Sequence, residues 1–457
     1  MNRIMGRAKV MLVLILVLAL GISFFMGEYF RFGSTWVHTG GSPHVYEEEQ
    51  VLGCGMVTDR DGVLLLDMAD NGTYHEDALL RKSVIHWVGD RRGNILAPIL
   101  NHYTKELAGF DPINGVYAYG GIGGKAKLTL SAKLQSAALE AMEDRVGTVA
   151  LYNYKTGQIL CAVTTPTFDP DNEPNIAGDT AGEYVGVYLN RFIQSTYTPG
   201  SIFKVLTAAA ALECIPDITE QTFVCTGEVG YGVDKVTCQN THGTVTFSEA
   251  LMYSCNCSFA RIANQVGGQR LTEYAQKFGV LDKAAFDGIT TAAGSIQPDS
   301  ENGVTVAWTG IGQHKDLINP CTYLTFIGAI ANGGVILTPH LVTDITTSGE
   351  KTYQAAASEG KRIMSEATAN TLRQMMLDTV SDYYGTEGYP DVSFGAKSGT
   401  AQVGGDKKPN AMFTGFIDEE EMPLAFIVCV EDGGAGRRIC GPVIKKLLHA
   451  AYEYLRM

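Results

Sequence analysis

Residues 393–403 read Ser-Phe-Gly-Ala-Lys-Ser-Gly-Thr-Ala-Gln-Val. The run predicts a strand that carries Lys397, Ser398, Gly399 and Thr400, with Gly399 placed where a second backbone can come close. Two further apolar runs follow, Ala411 to Ile417 and Leu424 to Val430, joined by the acidic turn Asp418-Glu419-Glu420-Glu421. Far upstream, Gly147 to Tyr154 and Gln158 to Thr165 read as a hairpin with Lys155-Thr156-Gly157 in its turn. Between these groups the sequence from about 200 to 380 reads as mainly helical, including Phe203 to Leu212, Phe247 to Val266 and Ala367 to Val380. A last amphipathic helix is predicted from Pro442 to about Leu455, with the proline at its first position. Strands at both ends of a helical insertion imply one antiparallel sheet built from distant segments and flanked by helices. The fold class is α+β.

Outside this block, the chain divides by texture. Val10 to Met26 is an almost unbroken apolar run preceded by Arg3, Arg7 and Lys9. As a helix it spans roughly 25 Å, at the short end for a bilayer. A cleaved signal peptide has a shorter apolar core ending in small residues; the bulky exit Phe24-Phe25-Met26 favours a retained anchor. The basic flank predicts a cytoplasmic tail of residues 1–9, an anchor at 10–26 and everything later outside the membrane. Residues 27–125 read as a small pedestal or linker domain, with Gly120-Gly121-Ile122-Gly123-Gly124 as a linker, and 126–457 as the main domain. A net charge of −14 argues against a nucleic-acid partner. Nine scattered histidines and ten cysteines with neither H-E-x-x-H nor C-x-x-C lead to the expectation of no metal and no cofactor. Cys225 and Cys238 flank a glycine-rich excursion and read either as a disulfide or as two free buried thiols.

Three short motifs occur in order: Ser201-Ile202-Phe203-Lys204, Ser254-Cys255-Asn256 and Lys397-Ser398-Gly399. None is rare alone. Ser348-Gly349-Glu350-Lys351 and Ser358-Glu359-Gly360-Lys361 repeat the first pattern, Ser300-Glu301-Asn302 the second and Lys155-Thr156-Gly157 the third. Context separates them, because the rivals sit in polar turns and surface loops. Ser201 instead follows the breaker Thr198-Pro199-Gly200 and opens a strongly helix-forming run, so it belongs at a helix N-terminus. Lys204, one turn on, lies over the same face. A serine hydroxyl needs an adjacent base, and a lysine can be that base only when its pKa is depressed. Alone, the pair would equally describe a capping serine and a solvated lysine. Ser254 and Asn256 are small polar groups between apolar stretches, presented into a cleft or buried as a hydrogen-bonded pair.

The block from Leu189-Asn190-Arg191 through Tyr197-Thr198-Pro199-Gly200-Ser201-Ile202-Phe203-Lys204, and Gly395 to Gln402, resemble the active-site segments of penicillin-binding proteins. Supporting matches include Thr58-Asp59-Arg60-Asp61-Gly62, Thr165-Pro166-Thr167-Phe168-Asp169-Pro170, Thr244-Val245-Thr246-Phe247, Gly310-Ile311-Gly312-Gln313 and Ala331-Asn332-Gly333-Gly334. With its anchor and short pedestal, the chain is similar to compact class B, monofunctional members. The resemblance implies a penicilloyl-serine transferase fold and a peptidoglycan D,D-transpeptidase, with catalytic Ser201, Lys204, Ser254, Asn256 and Lys397. Ser398, Gly399 and Thr400 would bind substrate. Ser201 would be acylated by a D-alanyl-D-alanine stem peptide, with Lys204 as its base. Ser254 and Lys397 would form the relay, and Asn256 would position the substrate amide. The backbone N–H groups of Ser201 and Thr400 would form the oxyanion hole, and Lys397, Ser398 and Thr400 would hold the terminal carboxylate. Implied partners are donor and amine-acceptor stem peptides, β-lactams, the membrane and a cell-wall synthesis complex such as a glycosyltransferase. Asn319-Pro320 replaces the Thr-Pro of many members, without clear catalytic meaning. A D,D-carboxypeptidase is the nearest alternative. A serine β-lactamase would need a deacylating base, and no E-x-x-L-N element lies between Ser254 and Lys397. A non-catalytic sensor or scaffold fits less well, since about nine residues precede the anchor and Ser201 and Lys204 are both intact.

Overall fold

Five antiparallel strands form the central sheet in the order Phe394–Ala401, Asn410–Ile417, Leu424–Val430, Gly147–Asn153 and Ile159–Thr165. The structure is a computed structural model describing residues 2–37, 55–68, 72–108, 123–298, 303–347 and 349–456. The sheet is assembled from both ends of the main domain, as the strand pattern implied. Its three central strands are buried along most or all of their length, which matches their near-continuous apolar runs. The 394–401 strand is an edge, with Lys397 opposite Thr414 and Ser398 opposite Phe413. Helices cover both faces. Ala132–Met142 and Gly436–Leu455 lie on one side, where Leu139, Val443 and Leu447 meet Val149 and Phe413 in one apolar cluster. Pro320–Ala331 and Lys204–Cys214 contribute to the larger core on the other.

Several expectations need correction. The last helix starts at Gly436, so Pro442 is inside it rather than at its first position. The carbonyl left without a donor belongs to exposed Arg438, where water can satisfy it. The segment 247–266 is two helices, Phe247–Met252 and Asn256–Val266, separated at Ser254, whose φ is 55°. Within the helical insertion, residues 222–246 form two small ribbons, Thr222–Cys225 with Gly243–Thr246 and Glu228–Tyr231 with Asp234–Thr237. Lys351 and Lys361 lie on exposed strands rather than in loops. Of the two alternatives left open for Cys225 and Cys238, the structure has free thiols, Cys225 buried and Cys238 half-buried. Gly120 to Ile122, Ser300-Glu301-Asn302 and Ser348 lie outside the described residues.

Among the described residues one helix, Asn2–Val37, contains an apolar stretch, Ile4–Gly33, long enough to cross a membrane. The strands Met56–Thr58, Leu64–Asp67, Thr73–Tyr74 and Gly124–Leu128 join Val342–Thr347 and Glu350–Gln354 in a six-stranded sheet. That sheet takes strands from both sides of the boundary expected near residue 125. The neighbouring helix Ala78–Val88 docks on the main domain through Trp87, whose Nε1 donates to the Ala162 carbonyl at 2.6 Å. Arg81 adds a two-pronged ion pair to Asp169 at 2.5 and 2.8 Å.

Candidate active site

Ser201 sits on a 3-10 turn, Gly200–Phe203, that runs directly into the helix Lys204–Cys214. This places the hydroxyl at the N-terminal end of a helix, as the breaker and apolar run predicted. The turn lies tightly against the edge strand. A Cβ on Gly399 would stand 2.9 Å from the Pro199 carbonyl oxygen, and one on Gly200 would stand 2.7 Å from the Thr400 oxygen. Gly200 also has φ of 55°, a region where a side chain is strained. The close backbone approach foreseen at Gly399 is therefore an approach by the nucleophile's own turn.

Lys204 is fully buried, and its amine is the hub of the site. It donates to Ser201 Oγ at 3.0 Å, Ser254 Oγ at 3.1 Å, the Ser254 carbonyl at 2.7 Å and Asn256 Oδ1 at 2.6 Å. Burial pushes its pKa well down, and the nearby Lys397 ammonium pushes it further. A second fully buried lysine, Lys397, has its pKa brought down to about 7 by desolvation. Its amine donates to the Ser398 carbonyl at 3.0 Å, while Ser254 Oγ is held by Lys204. The positive φ of Ser254 costs ~1–2 kcal/mol for a residue with a Cβ, and the Lys204 bond to its carbonyl helps hold that conformation.

Ser398 and Thr400 face the same cavity of about 350 Å³ as Ser201, Ser254 and Asn256. Thr400 Oγ1 accepts from the Gly436 amide at 3.1 Å, which leaves its own proton free to donate into the cavity. Ser398 Oγ is 2.8 Å from the Tyr384 hydroxyl, which in turn accepts from the Ser398 amide at 3.1 Å. Gln313 braces the same strand, donating to the Thr400 carbonyl at 2.9 Å and accepting from Gln402 N at 3.2 Å. The eight residues selected by sequence thus converge. Gln313 lay in a noted motif without an assigned role. Tyr384 was missed; it ends a π-helical segment, Thr379–Tyr384, that no periodicity announces. Asn319 caps Pro320–Ala331, and its Nδ2 donates to the carbonyls of Phe192, Ile193 and Ser195. That departure from the Thr-Pro pattern anchors the segment leading to Ser201.

The rival motifs lie elsewhere. Lys155 is in the hairpin turn beside Asn332, 2.9 Å from its side-chain oxygen, and Ser358 donates to the Thr338 carbonyl.

Residues 147–449 match the family model described as penicillin binding protein transpeptidase domain. The chain is 27% identical over 387 residues to a peptidoglycan D,D-transpeptidase PbpA of Mycobacterium tuberculosis, covering 78% of each chain. It resembles the solved D,D-transpeptidase domain of a peptidoglycan glycosyltransferase from Eggerthella lenta with a TM-score of 0.75 at 25% identity, covering 88% of this chain and 98% of that one. A ceftriaxone acyl-enzyme complex of penicillin-binding protein A from M. tuberculosis has the same fold, with a TM-score of 0.74 at 23% identity and coverage of 87% and 98%. The match spans the sheet, the helical insertion and every motif of the site, and the chain belongs to the penicillin-binding protein transpeptidase family as a class B member.

Proposed function

We propose that this chain is a peptidoglycan D,D-transpeptidase in which Ser201 is the nucleophile and Lys204 its base. The observation that carries the assignment is the buried Lys204 amine, 3.0 Å from Ser201 Oγ and with its pKa pressed down. A neutral amine there accepts the serine proton as Oγ attacks the penultimate D-alanine carbonyl of a donor stem peptide. The backbone N–H groups of Ser201 and Thr400 stabilise the oxyanion. Ser254 then carries a proton between Lys204 or Lys397 and the leaving D-alanine amine, which requires only small rotations of the lysine chains. Asn256 orients the peptide amide, and Ser398, Thr400 and Lys397 hold the terminal carboxylate. An amine from a neighbouring stem peptide attacks the acyl-serine, forms the cross-link and frees Ser201. β-Lactams enter by the same acylation and leave slowly.

The N-terminal helix is proposed to be a retained anchor with residues 1–9 cytoplasmic and the catalytic domain outside. The charges Arg7 and Lys9 before the apolar run support that orientation. Residues 27–125 are proposed as the pedestal, and a glycosyltransferase-containing cell-wall complex as its partner.

The test uses the full chain in detergent and a fluorescent penicillin. A stable covalent adduct is expected, and Ser201→Ala should abolish it. Rapid adduct turnover would point to a β-lactamase instead. A donor peptide supplied with and without an amine acceptor separates cross-linking from carboxypeptidation.

A further inference from the structure

Four metal-ligating side chains meet beside Ser254 and Asn256. Cys225 ends one ribbon strand, Cys238 follows another, His242 precedes a third, and Cys255 is the middle residue of Ser254-Cys255-Asn256. Their sulfur atoms and a His242 ring nitrogen all lie within 4.8 Å of one another. Cys238 Sγ is 4.0 Å from Cys255 Sγ and 3.5 Å from His242 Nδ1. A tetrahedral zinc ion, with Zn–S of about 2.3 Å and Zn–N of about 2.0 Å, sets S···S edges near ~3.8 Å and S···N edges near ~3.5 Å. Those two separations already fit. The widest separation needs to close by about 1 Å, within reach of side-chain rotation.

Two independent features point the same way. Several of the surrounding donors aim at sulfur: the Asn256 amide at Cys238 Sγ (3.3 Å), and the Ser258 amide and hydroxyl at Cys255 Sγ (3.5 and 3.1 Å). Outer donors of this kind orient and stabilise thiolate ligands. In addition, the two ribbons that bring in Cys225, Cys238 and His242 bury only Phe223, Val236 and Val245 besides cysteine. Two-stranded ribbons are marginal in water unless something clips them.

We propose that Cys225, Cys238, His242 and Cys255 bind one zinc ion in a closed Cys3His site, and that the ion positions the Ser254-Cys255-Asn256 turn against Lys204. Binding releases the three thiol protons to solvent and leaves a site of net charge −1. The positioning half rests on the catalytic roles proposed above. It follows from the connections: Cys255 joins Ser254 to Asn256, the Asn256 amide donates to Cys238 Sγ, and Asn256 Nδ2 donates to the Thr237 carbonyl at 2.8 Å. The ligand Cys238 therefore holds the Asn256 backbone, and Thr237, the residue before it, holds the Asn256 side chain. The sequence expectation of no metal came from the lack of H-E-x-x-H and C-x-x-C, whereas these ligands come from a strand end (Cys225), one loop (Cys238 and His242) and a helix N-cap (Cys255). Cys257, in contact with Cys225, is the neighbouring buried thiol outside the set.

The experiment is metal analysis of the full chain purified in detergent with zinc present. One zinc per chain is expected, lost in Cys238→Ser and His242→Ala but kept in Cys214→Ser. Because the variants could misfold, wild-type protein is also stripped with a chelator. Its Tm should fall and its penicillin acylation slow at least tenfold, with both restored by zinc alone. A wild type that takes up no zinc, or a Cys238–Cys255 disulfide found by mass spectrometry, overturns the site. Zinc removal without effect on acylation overturns the positioning role. Absence of any Ser201 adduct in zinc-loaded protein counts against the transpeptidase assignment and leaves zinc stoichiometry to decide the site.

Discussion

Lys204 and Lys397 place two ammonium-bearing side chains in full burial within one site, an arrangement that costs free energy and is tolerated because it produces a neutral amine. Acylation needs Lys204 unprotonated, and its pKa lies well below 10.5 through desolvation and then the Lys397 charge. The acylation rate should therefore rise with pH along a midpoint well below that of free lysine. Lys397, with a pKa of about 7, carries its charge below that pH, and there it opposes protonation of Lys204. In Lys397→Gln that repulsion disappears, so the midpoint of the residual acylation should move to higher pH, whatever happens to its amplitude. Rates of fluorescent-penicillin acylation across pH would measure this, and a midpoint that stays put would remove Lys397 from the tuning. At this scale most of the site was legible in sequence, because S-x-x-K, S-x-N and K-S-G fix residue type and local spacing. Tyr384 was not, since its contact with Ser398 depends on how a π-helical segment meets a strand. The positive φ of Ser254 was not either, because nothing in a serine announces a left-handed conformation.

The edge strand and the nucleophile's turn function as one element pair, held at backbone-to-backbone distance by glycines. Replacing Gly399 with alanine puts a methyl 2.9 Å from the Pro199 oxygen, 3.0 Å from Ile202 Cγ2 and 3.2 Å from Ile202 N. Two of these neighbours are backbone and cannot rotate away, so the strand must shift. Gly399→Ala should cost about 1–3 kcal/mol of stability and slow acylation more than a surface change of equal stability cost would. Thermal melts paired with acylation rates decide it; unchanged acylation would show that the strand position is not critical to the cavity. Gln313 adds a second constraint, since its side chain occupies the edge between Thr400 and Gln402. A substrate peptide pairing with this edge must end there or displace it. The long strands and the principal helices were readable from apolar runs. The ribbons of residues 222–246 were not, because each strand is only four residues long and buries at most two side chains, too few for a period to stand out.

At the scale of the molecule, the segment proposed as a pedestal shares a sheet and a core with the transpeptidase domain. Val57, Leu66, Trp87 and Ala126 belong to the same apolar cluster as Ile202, Phe203 and Ile427, so one core runs from the first described strand to the nucleophile's turn. The Val342–Thr347 strand pairs with Gly124–Leu128, which in turn pairs with Met56–Thr58. Gln135 bridges the two parts as well, donating to the Ser83 carbonyl at 2.9 Å and accepting from Ala162 N at 2.7 Å. These contacts are not revealed by composition, because the strands Met56–Thr58, Leu64–Asp67 and Thr73–Tyr74 are short and the sheet is completed by Val342–Thr347, more than two hundred residues after its partner Gly124–Leu128. They also yield a prediction about truncation. A fragment of residues 28–457 keeps the whole cluster and should bind fluorescent penicillin and melt in one transition. A fragment of 126–457 loses Trp87, the Arg81–Asp169 pair and most of the six-stranded sheet, exposing Leu128, Val342 and Ile345, all buried in the full structure. Exposed apolar surface on an unpaired sheet edge favours aggregation. The shorter fragment should therefore be insoluble or lack a cooperative transition, and lose the penicillin adduct although every motif residue is present. If it instead melts cooperatively and acylates at the same rate, the shared core contributes nothing to the site, and residues 27–125 act only as a spacer between membrane and enzyme.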